Sequence, residues 1–156
     1  MDHSSSGIVE LVPLVVTGGA CLLGLGLTDQ GEHHGDPFRW PTIVLLFVAS
    51  MAHVPMIPAH LDEAPYMGAL FIAFAVAAFA VAALLAARPS PALYPPAGLL
   101  CAAAVVAYAA TRLVPFPQLG DDVGDWLEPL GIVAVTAEAG VVLLCLSAER
   151  RLRTAG

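Results

Sequence analysis

The stretch MAHVPMIPAHLDEAPYM, from Met51 to Met67, sets imidazoles, thioethers and carboxylates between strongly apolar runs. His53, Met56 and His60 fall at the three-, four- and seven-residue spacing of one helical face. Imidazole nitrogen beside thioether sulfur suits copper, and imidazole with carboxylate suits zinc or iron. The candidate metal set is therefore His53, His60, Met56 and Glu63, with copper or another transition metal as the expected ion. On an unbroken helix the two histidines stand about 10 Å apart, too far for one ion. Pro55 and Pro58 lie between them; each removes a backbone donor and crowds the preceding turn, so a kink is expected there. Two ligands on one helix cannot clamp both faces of a haem. A competing reading of each imidazole is structural: it would satisfy a carbonyl left free by the broken helix.

A second constellation is ionic. Glu10, Arg112 and Glu138 fall within or near the ends of apolar runs. In hydrocarbon such groups cost several kcal/mol, so they should face the bundle interior, a cavity or the interface. Tyr108 and Arg112 share one helical face, as do Gly131, Ala134 and Glu138, where small residues would leave room above the carboxylate. The candidate ligand pocket is Arg112, Glu138, Glu128, Glu10 and Tyr108. Arg112 is expected to pair with a carboxylate of a neighbouring span, Glu138 or Glu128, because a lone guanidinium cannot sit cheaply near hydrocarbon. A plain Arg112–Glu138 salt bridge would be the structural account of both charges.

These residues must be held by elements suited to an unusual composition. Of 156 residues, 58% are apolar and 12% charged, where a soluble domain would carry about 25% charged. The expected class is an all-α, polytopic integral membrane helical bundle, with the lipid bilayer as its first partner. A net charge of −7, with no lysine, excludes a nucleic-acid partner. Cys21, Cys101 and Cys145 stand alone in apolar runs and read as small buried hydrophobes. MDHSSSGIVE lacks the basic region of a secretory signal, so the first apolar run is expected to be retained.

Five membrane spans are expected, at residues 8–28, 41–60, 63–87, 96–115 and 127–148, each near the ~20 residues that cross the hydrocarbon core. Asp29–Arg39, Arg88–Pro96 and Phe116–Asp125 are rich in glycine or proline and end one span before the next. Asp62 is the expected N-cap of the third span and Pro65 belongs to its first turn. Arg150, Arg151 and Arg153 place the C-terminus in the cytoplasm, and five spans then place the N-terminus outside. The turn at His60–Glu63 and the acidic loop at Asp121–Asp125 share the outer side. Ala73/Ala77, Ala78/Ala82/Ala86 and Ala103/Ala107/Thr111 read as ridges for close helix packing.

Ala52–Phe71, AHVPMIPAHLDEAPYMGALF, resembles a segment of small, poorly characterised actinobacterial multi-helix membrane proteins, through His53, Pro58, His60, Glu63, Tyr66, Gly68 and Phe71. Thr111–Glu138 looks like a later segment of the same family, through Arg112, Pro115, Glu128, Pro129, Gly131 and Glu138. The resemblance implies an integral helical protein and singles out the same polar residues, without implying a chemistry.

An enzyme is disfavoured: His60 with Glu63 could exchange protons, yet no HExxH, phosphate loop or Ser–His–Asp set is present. The favoured function is a small membrane binding or accessory protein with an outward-facing His/Glu/Arg pocket. The alternatives are a small transporter or proton-coupled carrier, for which so few helices would need a homodimer, and a purely structural subunit of a membrane partner.

Overall fold

The structure, a computed structural model, describes residues 36–155, whose helices belong to one compact unit, Pro37–Gly156. The expected first span at 8–28, with Glu10, lies outside the described residues, as do Cys21, His33 and His34.

The chain enters helix α1 at Arg39–His53. A single 3-10 turn, Val54–Met56, follows, and then the short helix α2 at Ile57–Glu63. The prolines explain the break. Pro58 has no N–H to give Val54, so the Val54 carbonyl accepts from Ile57 instead, an i to i+3 bond that tightens the turn. The expected distortion is present, and the apolar rod Arg39–Glu63 continues across it.

Helix α3, Pro65–Ala87, starts after Ala64, whose φ of −139° and ψ of 81° break the helix. Pro65 occupies the first turn as expected, but Asp62 does not cap it. Ala64 holds the N-cap position without a side-chain bond, and Asp62 lies inside α2. Pro89 and Pro91 interrupt the chain, and α4 runs Tyr94–Leu113. It begins two residues before the expected Pro96, because prolines are tolerated in a first helical turn where their missing N–H has no partner to lose. Helix α5, Pro129–Ala155, runs past the expected Ala148. Glu149–Arg153 are good helix formers, and arginines suit the negative end of the helix dipole.

Among the described residues, four helical rods are long and apolar enough to cross a membrane: Arg39–Glu63, Pro65–Ala87, Pro91–Leu113 and Pro129–Thr154. Leu70, Val76, Leu99, Val106 and Leu143 are exposed along them, as a lipid-facing surface requires. The described residues form an all-α fold whose long apolar helices are consistent with a polytopic membrane bundle.

Helix α1 packs along both α3 and α5, and α5 along α4, while α3 and α4 touch little. Small residues make the close pairings. A Cβ on Gly140 of α5 would come within 2.7 Å of Leu45 on α1, and one on Gly98 of α4 within 3.2 Å of Cys145 on α5. Ser50 donates to the Ala75 carbonyl at 2.9 Å, which ties α1 to α3. Ala78, Ala82 and Ala86 are buried, as expected of a packing ridge. Cys101 and Cys145 are free and buried.

The two ends of this unit are fastened by different contacts. At one, Arg39 donates to the Leu85 and Ala86 carbonyls at 3.0 and 2.7 Å, and Arg151 lies over the Phe38 ring at 5.0 Å. At the other, the Tyr66 hydroxyl donates to the Pro117 carbonyl at 2.7 Å. There Leu119 packs on Ala64 and Met67, flanked by Phe71 and Phe116, so the 114–128 loop folds over the start of α3.

Candidate functional site

Because α3 and α4 diverge, the bundle leaves a half-open cavity of about 550 Å³ beside the 114–128 loop, with Ala73, Ala103 and Ala107 exposed along it. His53 of α1, Met56 of the 3-10 turn and His60 of α2 line one wall. Phe71, Phe74, Ala73 and Ala77 of α3 line the next, and Ala103, Ala104, Ala107, Tyr108 and Arg112 of α4 the third. Helix α5 contributes Gly131, Ala134 and Glu138; Asp122 and Glu128 stand at the loop end.

The ionic residues divide into two groups. Arg112, with its side chain only 5% exposed, bridges Asp122 at 2.9 Å and Glu128 at 3.1 Å through separate guanidinium nitrogens. Its charge lies 4.8 Å from the centre of the Tyr108 ring. The Tyr108 hydroxyl donates to the Trp126 carbonyl at 3.1 Å, and the Arg112 carbonyl accepts from Gly124 at 3.0 Å. Arg112 and its neighbours therefore fasten the loop to the top of α4. Gly131 makes the arrangement possible, since a Cβ there would meet the Tyr108 ring at 2.8 Å and Glu128 at 3.1 Å.

Glu138 forms the second group, and here one expectation is corrected. Arg112 pairs with Glu128, as one branch of the expectation had it, but not with Glu138. The guanidinium is already held by Asp122 and Glu128, and Glu138 meets His53 instead, with Oε1 3.7 Å from Nε2. Glu138 is 2% exposed, and its Oε1 has no hydrogen-bond partner among the described residues. At 3.7 Å the contact with His53 is too long for a hydrogen bond.

The histidines are placed by backbone bonds. His53 Nδ1 lies 2.8 Å from the Ala49 carbonyl, and His60 Nδ1 lies 2.9 Å from that of Met56. A carbonyl only accepts, so each Nδ1 carries the proton, and in the neutral ring Nε2 is left as an acceptor. Neither carbonyl is one that the prolines deprive of its helical partner, so the imidazoles add bonds beside the helical ladder. Phe71 packs on both rings, at 5.1 Å from His53 and 4.7 Å from His60, and Phe74 lies 4.5 Å from His53.

The copper set is not supported by this geometry. Glu63 is exposed and is not part of the cavity wall, because it ends α2 on the outer surface. Among the described residues no group of three or more His, Cys, Asp and Glu side chains could hold a metal ion. His53, Met56 and His60 do line one wall, as their spacing implied, but an aromatic ring packs beside each imidazole.

The sequence reads Ala73/Ala77 and Ala103/Ala107 as packing ridges, which the structure corrects, and it does not single out Asp122 or Phe74. Ala73/Ala77 and Ala103/Ala107 have the same four-residue spacing as the packing ridge on α3, yet they face the cavity. Asp122, one of several acidic residues in its loop, carries the shorter Arg112 contact. Phe71 and Phe74 lie three residues apart on α3, opposite His53; that spacing was the available signal.

A scan of protein-family models gives no match to this chain, and searches of curated proteins and of solved structures give none either.

Proposed function

We propose that this is a small membrane binding protein whose bundle holds a compact, largely apolar organic molecule with one polar group. The observation that carries this reading is the cavity of about 550 Å³ with an unpartnered carboxylate oxygen in its wall. That volume lies within the range of small-molecule sites, which combine apolar walls with a few placed polar groups. A buried charge without a partner is costly, and a ligand that supplies a donor offsets that cost. The His53–Glu138 contact would also serve a proton-coupled carrier, and uptake into sealed vesicles separates carriage from binding. The resemblance to the actinobacterial membrane family enters this proposal through His53, His60, Arg112 and Glu138, four of its residues that line the cavity.

The neutral dye Nile red tests the cavity. In phosphatidylcholine nanodiscs the wild type is expected to give saturable fluorescence above that of empty discs. Ala107→Phe, which places a ring in the cavity, should weaken it at least tenfold. A signal equal to that of empty discs, or one untouched by Ala107→Phe, would remove the reading.

The cavity is placed on the outer side of the membrane, with the C-terminus in the cytoplasm. Charge supports this orientation: Arg39 and Arg151 both lie at one end, next to the end of α3 that leads into Arg88, while Asp122 and Glu128 stand at the other with Arg112. Single cysteines at Gln118 and Thr154, in a background lacking the native cysteines, should be labelled from opposite sides of intact cells. Labelling of both from one side would reject it.

A further inference from the structure

We infer that the ligand of this cavity is a lipophilic amine in its ammonium form, held by Glu138 and His53; the inference rests on the binding reading above. Three independent features point to it. The first is the pair of acceptors. His53 Nδ1–H donates to the Ala49 carbonyl, so Nε2 of the neutral ring is an acceptor, and it faces Glu138 Oε1 at 3.7 Å. Two acceptors at that separation can both be reached by one nitrogen that carries at least two N–H bonds, each at an ordinary hydrogen-bond length of about 2.8–3.0 Å.

The second feature is charge. Glu138, Asp122 and Glu128 face the cavity against the single guanidinium of Arg112, which Asp122 and Glu128 already hold. Glu138 is left as the carboxyl group with an unpartnered oxygen, and a cationic ligand is the one that would hold it in its charged form. Thr42 Oγ1 and Arg112 Nε are the other buried polar atoms without a partner among the described residues. Neither resembles Glu138: the first is a neutral hydroxyl, and the second belongs to a guanidinium already paired through its other nitrogens.

The third feature is the wall beside the pair. Phe74 packs against His53 at 4.5 Å and Phe71 at 5.1 Å, and both rings line the cavity. Aromatic faces attract an ammonium more strongly when it is desolvated. The alanine-lined remainder of the cavity takes an apolar tail.

Calorimetric titration with a matched series in phosphatidylcholine nanodiscs tests the assignment. The probes are 4-phenylbutylamine, its N,N,N-trimethylammonium analogue, 4-phenylbutanol and 4-phenylbutyrate, each also run as a competitor of Nile red. The primary amine is expected to bind at least tenfold more tightly than the alcohol. The trimethylammonium compound, a cation without N–H, should fall between them, and the carboxylate should bind most weakly. Glu138→Gln should bring the amine down to the level of the alcohol while Nile red still binds.

An amine no better than the alcohol, or an amine unaffected by Glu138→Gln, overturns the ligand class and leaves the cavity reading standing, provided Nile red binds. Failure of every probe overturns both. The wild-type series decides the matter even where Glu138→Gln does not fold. Adding phosphatidylethanolamine to the discs distinguishes two sources of the same chemistry. A weaker apparent amine affinity assigns the site to a lipid headgroup, and an unchanged affinity assigns it to a free amine.

Discussion

Arg112→Ala is expected to lower stability by about 2–3 kcal/mol, where Arg150→Ala in the C-terminal tail changes it by less than about 0.5 kcal/mol. Removing one member of a fully buried ion pair costs about 3–5 kcal/mol, because the remaining charge keeps its desolvation cost without its partner. Asp122 and Glu128 are about one-third exposed, at 30% and 33%, so water recovers part of that loss. The substitution also removes the charge over the Tyr108 ring and loosens the 114–128 loop. Arg112→Lys should recover only part of the stability. A guanidinium reaches Asp122 with one nitrogen and Glu128 with another, whereas an ammonium is a single point charge. Reversible unfolding of the purified protein in mixed micelles measures all three. Arg112→Ala and Arg150→Ala giving the same midpoint would show that the loop is not held this way.

Gly68→Ala should cost a similar amount, about 2–3 kcal/mol, although alanine is intrinsically the better helix former by about 1 kcal/mol. The new Cβ would lie 2.7 Å from Leu61 Cγ and 2.8 Å from the Leu61 backbone nitrogen. A side chain can turn away from such a contact, but a backbone nitrogen in a helix cannot. Helix α2 would have to move off α3 and carry His60 with it, so Nile red binding should weaken as well. Gly120 is the control. A Cβ there meets nothing within 4 Å, and Gly120→Ala should change stability by less than about 0.5 kcal/mol. A Gly68→Ala protein as stable as the wild type would mean that the α2–α3 turn is slack.

How much of this was legible in the residues differs from one feature to the next. The apolar rods were legible because crossing a bilayer is a demand on composition and length, which are local properties of the chain. The distortion between His53 and His60 was legible for a similar reason: a proline acts on its own turn, whatever lies around it. Arg112 was correctly expected to find a carboxylate, since the cost of burying a lone charge does not depend on the fold. Glu128, one of the partners named for it, is sixteen positions along the chain, at the end of the connecting loop.

What tertiary structure decided depends on how the helices are turned and where they separate. Ala78/Ala82/Ala86 and Ala103/Ala107 have the same spacing, yet the first set is buried in helix packing and the second faces a cavity. No pattern within one helix distinguishes them, because the difference lies in whether a neighbour approaches. Helix α3 meets α1 closely and barely meets α4. Glu138 was recognised as a charge in an apolar run, but its neighbour was not: Arg112 had been claimed by Asp122 and Glu128, and His53 came round from α1. Sequence therefore determined that these charges need company, a matter of solvation free energy. The three-dimensional path of the backbone decided which atoms supply it, a matter of distances of a few ångströms across helices far apart in the chain.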